Sequence, residues 1–143
     1  MGIDLSKAAA PAILETVLYA HDLAKIEDFY RRVLDLEPFA VVPGRHVFYR
    51  CQDQMLLIFN PSATRIAPAP GALPVPQHGM EGEGHVCFRA SAEEIAQWRA
   101  KLAALGIAIE ADFEWPNGGH SIYFRDPAGN CIEFAEPRIW GLE

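Results

Sequence analysis

A chain of 143 residues, half of them apolar and 22% charged, is ordinary globular material and predicts one domain over residues 1–143. The formal net charge of −7 argues against nucleic acid or an anionic membrane as partner, and no apolar run approaches the roughly 18 residues of a membrane span. The N-terminus lacks the basic region and apolar core of a signal peptide. Cys51, Cys87 and Cys131 are odd in number without C-x-x-C spacing, so a cytoplasmic location is expected, with the cysteines as small core hydrophobes.

Residues 1–12 are small and Ala-rich and read as a loose arm. Residues 13–20 alternate as a strand does, with Leu14, Thr16 and Leu18 on one face and Glu15, Val17 and Tyr19 on the other. Asp22 is placed to cap a helix whose apolar stripe, Ile26, Phe29, Val33 and Leu36, has spacing 3, 4, 3 and ends before Pro38. Residues 46–50 and 55–59 are two further strand runs around a polar turn. The stretch 61–83 then holds five prolines, counting Pro61, and three glycines. Proline neither donates to a sheet ladder nor continues a helix, so this is a linker, long enough to serve as a covering arm.

Beyond it the pattern returns. A strand (85–90) leads to a helix opened by Ser91 with Glu94 three residues on, a capping box. The stripe Ile95, Trp98, Leu102 and Leu105 repeats the spacing 3, 4, 3, and Gly106 ends the helix. Residues 107–110 read as a short strand. The loop Trp115-Pro116-Asn117-Gly118-Gly119 leads to a closing hairpin, 121–136, around the turn Asp126-Pro127-Ala128-Gly129-Asn130.

This is an internal repeat. The helices match at an offset of 69, the opening strands at 70 (Glu15 on His85) and the closing strands at 75 (Ile58 on Glu133). Module 1 spans about 13–60 and module 2 about 84–137, each β-α-β-β-β. Each is too small to bury its own sheet, so the expected architecture is α+β, two tandem modules forming a curved open mixed sheet around a cleft. Glu15, Ile58, His85 and Glu133 would converge there. Glu133 stands between Ile132 and Phe134, and a carboxylate in such a strand is costly unless neutralised.

Asp22-Leu23, Phe29-Tyr30 and Val33-Leu34 in the first half, with Gly84-His85-Val86 and Tyr123-Phe124-Arg125-Asp126-Pro127-Ala128-Gly129-Asn130-Cys131-Ile132-Glu133 in the second, give the chain its likeness. It resembles the vicinal oxygen chelate superfamily of glyoxalase, bleomycin-resistance and extradiol-dioxygenase proteins. The resemblance implies a cleft that holds a divalent metal, Zn, Ni, Mn, Co or Fe, on Glu15, His85 and Glu133, since Ile58 has no ligating atom. Three ligands leave positions open for water and substrate, as in catalytic sites. It further implies an enzyme acting on a small molecule with vicinal oxygens, of lyase, isomerase or dioxygenase type, and a homodimer.

Glu15 and Glu133 are the candidate catalytic carboxylates, and His120 a candidate acid/base or supporting residue. Tyr19, Phe48, His78, Tyr123 and Arg125 are candidate substrate contacts. Two other readings fit the same residues. One is a metal-free protein that binds a drug or metabolite, as bleomycin-resistance proteins do, with Glu15 paired to Arg89 or Arg125. The other is a thiol transferase of the fosfomycin-resistance type.

Overall fold

Each half of the chain builds the same unit in the computed structural model, which describes residues 10–143; residues 1–9 of the expected N-terminal arm lie outside it. The first unit runs β1 (Glu15–Tyr19), α1 (Leu23–Leu34), β2 (Pro38–Val42), β3 (His46–Cys51) and β4 (Gln54–Phe59). A single helical turn, α2 (Pro61–Thr64), opens the linker. The second unit runs β5 (His85–Arg89), α3 (Ala92–Ala104), β6 (Ala111–Glu114), β7 (His120–Arg125) and β8 (Cys131–Ala135), and a 3-10 turn at Pro137–Trp140 comes after it. The sheets are four-stranded and mixed, in the orders β1-β4-β3-β2 and β5-β8-β7-β6, with only β1–β4 and β5–β8 parallel. This is the α+β architecture of two β-α-β-β-β modules.

The local signals act as expected at the helices. Asp22 accepts from the Lys25 amide, and the Ser91–Glu94 box is closed in both directions. Helix α1 stops at Asp35, which adopts a left-handed φ of 54°, three residues before Pro38. That proline instead opens β2 at a sheet edge, where its missing N–H is tolerated. The strand expected at 107–110 lies four residues later, at Ala111–Glu114. Ile107 and Ile109 pack on the core from the loop preceding it.

Both helices cover one face of their sheets, and there the core lies: Leu18, Ile58, Val47 and Tyr49 with α1, and Ile122, Phe124, Ile132 and Phe134 with α3, in one continuous cluster. The modules are joined across it by a buried polar clamp. Asp126 Oδ2 accepts from Tyr30 Oη (2.8 Å) and from Asn130 Nδ2 (2.9 Å), and Asn130 reaches the Tyr19 carbonyl and the Gly84 amide. Gly84 lets the strands approach, because a Cβ there would come within 2.9 Å of the buried Leu18 side chain and force it to shift. Neither α1 nor α3 covers the opposite face of its sheet, which stays partly open. No described helix is long and apolar enough to cross a membrane.

Candidate functional site

Side chains alternate across a strand, and partners in register share a face. In the second sheet that rule puts His85, Cys87, Glu133, Ser121, Tyr123 and Phe113 together on the open face. His85 Nε2 lies 3.2 Å from Glu133 Oε1. Its Nδ1 is 2.9 Å from the Cys131 carbonyl, which can only accept, so Nδ1 carries a proton and fixes the ring. Glu133 is 5% exposed. Its Oε2 accepts from Ser121 Oγ at 2.7 Å, and Ser121 in turn accepts from Trp115 Nε1 at 2.8 Å. Burial, then the Glu133 charge, pushes the Cys87 thiol up to about 12. Burial, then the hydrogen bond and charge of Glu133, pushes the Tyr123 hydroxyl up to about 12. Both shifts favour the protonated form at neutral pH, and Cys87, expected in the core, is instead exposed on the open face.

The open face of the first sheet is apolar and aromatic. Val17, Leu57, Phe59, Phe48 and His46 share it with Tyr19 and Glu15. His46 stacks on Phe48 with ring centroids 3.8 Å apart, and burial, with the neighbouring Arg45 charge second, lowers its pKa. The linker folds against this face. His78 Nδ1 lies 2.5 Å from Tyr19 Oη, and its ring meets Phe59 edge-on at 4.9 Å. The His21 contact with Glu81 and the Arg125–Glu83 ion pair tie the linker down, and the Arg65–Glu81 ion pair closes it on itself.

Of the sequence candidates, Tyr19, Phe48 and His78 thus gather on the first sheet, and His85, Glu133 and Tyr123 on the second. Arg125 is on the second open face but is taken by Glu110 (2.9 Å), Glu83 and the Gly129 carbonyl. Glu15 is exposed and joins no ion pair among the described residues, neither to Arg89 nor to Arg125. No group of three or more His, Cys, Asp and Glu side chains among the described residues is placed to hold a metal within one chain. His120 sits on the helix-covered face, against Asp112 and 3.4 Å from Arg99 of α3, away from Glu133. The Arg99 hydrogen bond is the largest influence on the Asp112 carboxyl; it outweighs burial and, with His120, holds that group at about 2.

One repeat assignment is corrected. Register pairs Cys87 with Glu133 and Val17 with Leu57, so Leu57, not Ile58, is the counterpart of Glu133. Ile58 points into the core and is fully buried. A slip of one residue exchanges the two faces. Leu57 has no ligating atom either. Ser121 and Trp115 escaped the sequence reasoning, although alternation from Tyr123 places Ser121 beside Glu133.

Duplicated modules, each with one helix-covered and one open sheet face, define the class of the protein. The chain belongs to the Glyoxalase/Bleomycin resistance protein/Dioxygenase superfamily, whose model matches residues 12–134. It is similar to a lactoylglutathione lyase from Agrobacterium tumefaciens at 46% identity, covering 94% of this chain and all of that one, with a TM-score of 0.88. A glyoxalase/bleomycin resistance protein/dioxygenase from Nocardioides shares the fold at 24% identity, with 90% and 85% of the two chains covered and a TM-score of 0.68. A virulence protein from Salmonella typhimurium does so at 22%, with 90% and 98% covered and a TM-score of 0.65. No curated protein matches the chain.

Proposed function

We propose that the chain is a cation-dependent lyase of the lactoylglutathione lyase kind, with each site completed by a second copy of the chain. The observation that carries this reading is the His85–Glu133 pair. With Nδ1 turned to the Cys131 carbonyl, Nε2 is the ring nitrogen that faces a carboxylate oxygen, and a cation would take both as ligands. The donor set of one imidazole and carboxylates fits a divalent transition metal. Glu15, His85 and Glu133 would hold it, and the bound ion would supply positive charge to two adjacent substrate oxygens.

A 2-hydroxyacyl thioester carries such oxygens on neighbouring carbons. In the lyase direction a carboxylate takes the proton from the hydroxyl-bearing carbon and returns it to the thioester carbon. The resulting hemithioacetal then divides into thiol and 2-oxoaldehyde, conserving all atoms. Glu15 and Glu133 are the groups able to carry that proton. Tyr19, Phe48, Phe59 and His78 offer the apolar wall that shields it from water.

The faces themselves support a two-fold dimer. Glu15 lies on the first open face and the His85–Glu133 pair on the second. Seating the first face of one copy on the second face of its partner buries exposed Val17 and Val42 twice over and delivers one carboxylate to each pair. Seating like on like would instead oppose two Glu133 charges.

The test is formation of S-lactoylglutathione from glutathione and the 2-oxoaldehyde, the same step run in its downhill direction, monitored by the rise in thioester absorbance with and without chelator. Activity is expected to vanish on chelation and on Glu133→Gln. Mixing and refolding inactive Glu15→Gln and Glu133→Gln chains restores about a quarter of wild-type activity, because half the dimers then carry one intact site. A chelator-insensitive protein, or no restoration in the mixture, refutes the reading. The aromatic cluster on the first face favours one rival, a metal-free protein that binds an aromatic small molecule without converting it.

A further inference from the structure

The loop Trp115-Pro116-Asn117-Gly118-Gly119 closes on itself. The Trp115 amide donates to the Gly119 carbonyl and the Gly118 amide to the Trp115 carbonyl, both at 2.9 Å. Gly118 and Gly119 each take φ of 92°, a left-handed conformation that suits glycine. At Gly119 a Cβ would lie 2.5 Å from Ile139 Cγ2, so the loop is seated directly against the 3-10 turn after β8. This arrangement returns the Trp115 indole over the open face to Ser121.

Donor chemistry fixes the direction of both hydrogen bonds at Ser121. An indole N–H only donates, so Ser121 Oγ accepts from Trp115 and turns its own proton to Glu133 Oε2. Ser121 is fully buried and Glu133 nearly so, so each depends on the other for its hydrogen bond. Oε2 is thereby occupied and Oε1 alone faces His85 Nε2.

We infer that Ser121, held by Trp115, is a positioning residue that presents a single oxygen of Glu133 to the cation. This rests on the cation-binding reading of the His85–Glu133 pair. Loss of the hydroxyl removes the donor on Oε2 and leaves the Tyr123 hydroxyl as the remaining donor to the Glu133 carboxylate; outer-shell partners of this sort are worth roughly 10–100-fold in metal affinity.

The experiment titrates chelator-stripped full-length protein with Co(II), read by visible absorption, and with Zn(II), read by the indole ¹⁵N–¹H resonance of Trp115. Ser121→Ala is expected to weaken Co(II) binding about 10–100-fold. Trp115→Phe keeps the hydroxyl but loses its anchor and gives a smaller loss; it carries the test if Ser121→Ala does not fold. The Trp115 resonance is expected to shift on adding Zn(II) to wild type and to stay fixed in Ser121→Ala, a response that a purely structural hydroxyl would not produce. Binding as tight as wild type in a folded variant of either kind, or a wild-type indole resonance blind to bound Zn(II), overturns the relay and leaves the cation reading standing. A wild-type protein that takes up neither metal overturns both.

Discussion

Tyr30→Phe tests whether the modules are held together by the Asp126 clamp. The substitution removes one oxygen and no carbon from a ring that is fully buried. It deletes the 2.8 Å bond to Asp126 Oδ2 but leaves Asn130 Nδ2 on that oxygen and the Ala128 and Asn130 amides on Oδ1. The carboxylate is weakened in its support, not orphaned. A hydrogen bond to a charged group contributes about 1.5–3 kcal/mol, so the midpoint of thermal unfolding at pH 7 should fall by ~5–10 °C for a chain of this size.

The pH dependence adds a sharper criterion. Burial first, then the Asp126 charge and hydrogen bond, raise the Tyr30 pKa well above its ordinary value. A group raised in the folded state stabilises below its unfolded pKa, about 10 for tyrosine, and that contribution is lost as pH climbs above it. Wild type should therefore lose about 1.4 kcal/mol per pH unit above 10 on account of this one group. The variant lacks it, so its deficit should shrink between pH 10 and 11.5. Urea unfolding of both proteins at pH 7, 9, 10.5 and 11.5 measures this, and a deficit that stays constant through the alkaline range refutes the reasoning.

The geometry sets three further outcomes. Ile58→Glu should not fold with or without metal, since it buries a charge among apolar side chains. Leu57→Glu should be less stable than wild type without metal and show a larger Co(II)-induced rise in melting temperature, because it adds a carboxylate on the open face; equal behaviour of the two variants would undo the register assignment. His120→Ala, on the covered face, should leave turnover within about threefold of wild type, well short of the 10²–10⁴-fold of an acid/base group. The Asp112 carboxyl, held at about 2 chiefly by Arg99, stabilises above its unfolded pKa of about 3.9 and loses that contribution as pH falls toward 2; Asp112→Asn should flatten acid unfolding across that window.

The duplication and both helices are legible in the sequence because their signals are local. A 3, 4, 3 stripe and a capping box need only residues within one helix, and the Ser91–Glu94 bonds form as read. The strand edges are less so. Ile107 and Ile109 alternate as a strand would, yet they serve the core from a loop. Pro38 reads in the sequence as a helix stop, yet the helix already ends at Asp35 and the proline opens an edge strand. Facing is the harder question. Naming both His120 and Tyr123 as site residues contradicts period two: only 121, 123 and 125 share the side of Glu133. The long-range partners Tyr30–Asp126 and Trp115–Ser121 have no sequence spacing to announce them.

On the proposed two-fold reading, the two open faces differ in a way that suits them to each other. By register, Val17 corresponds to Cys87, Leu57 to Glu133, Phe48 to Tyr123 and His46 to Ser121. Module 2 carries a buried carboxylate and its donors where module 1 has Val17, Leu57, Phe48 and the imidazole of His46. Had both faces kept a carboxylate at that position, bringing them together would add a second desolvated charge beside the first. Confining the buried charge to one face and leaving the other apolar, with Glu15 at its margin, lets unlike faces meet without that penalty. On that reading, the surface exposed on Val17 and Val42 is what a second copy would cover. Diluting the protein below its dimer dissociation constant should accordingly abolish turnover while leaving the far-ultraviolet circular dichroism of each chain intact.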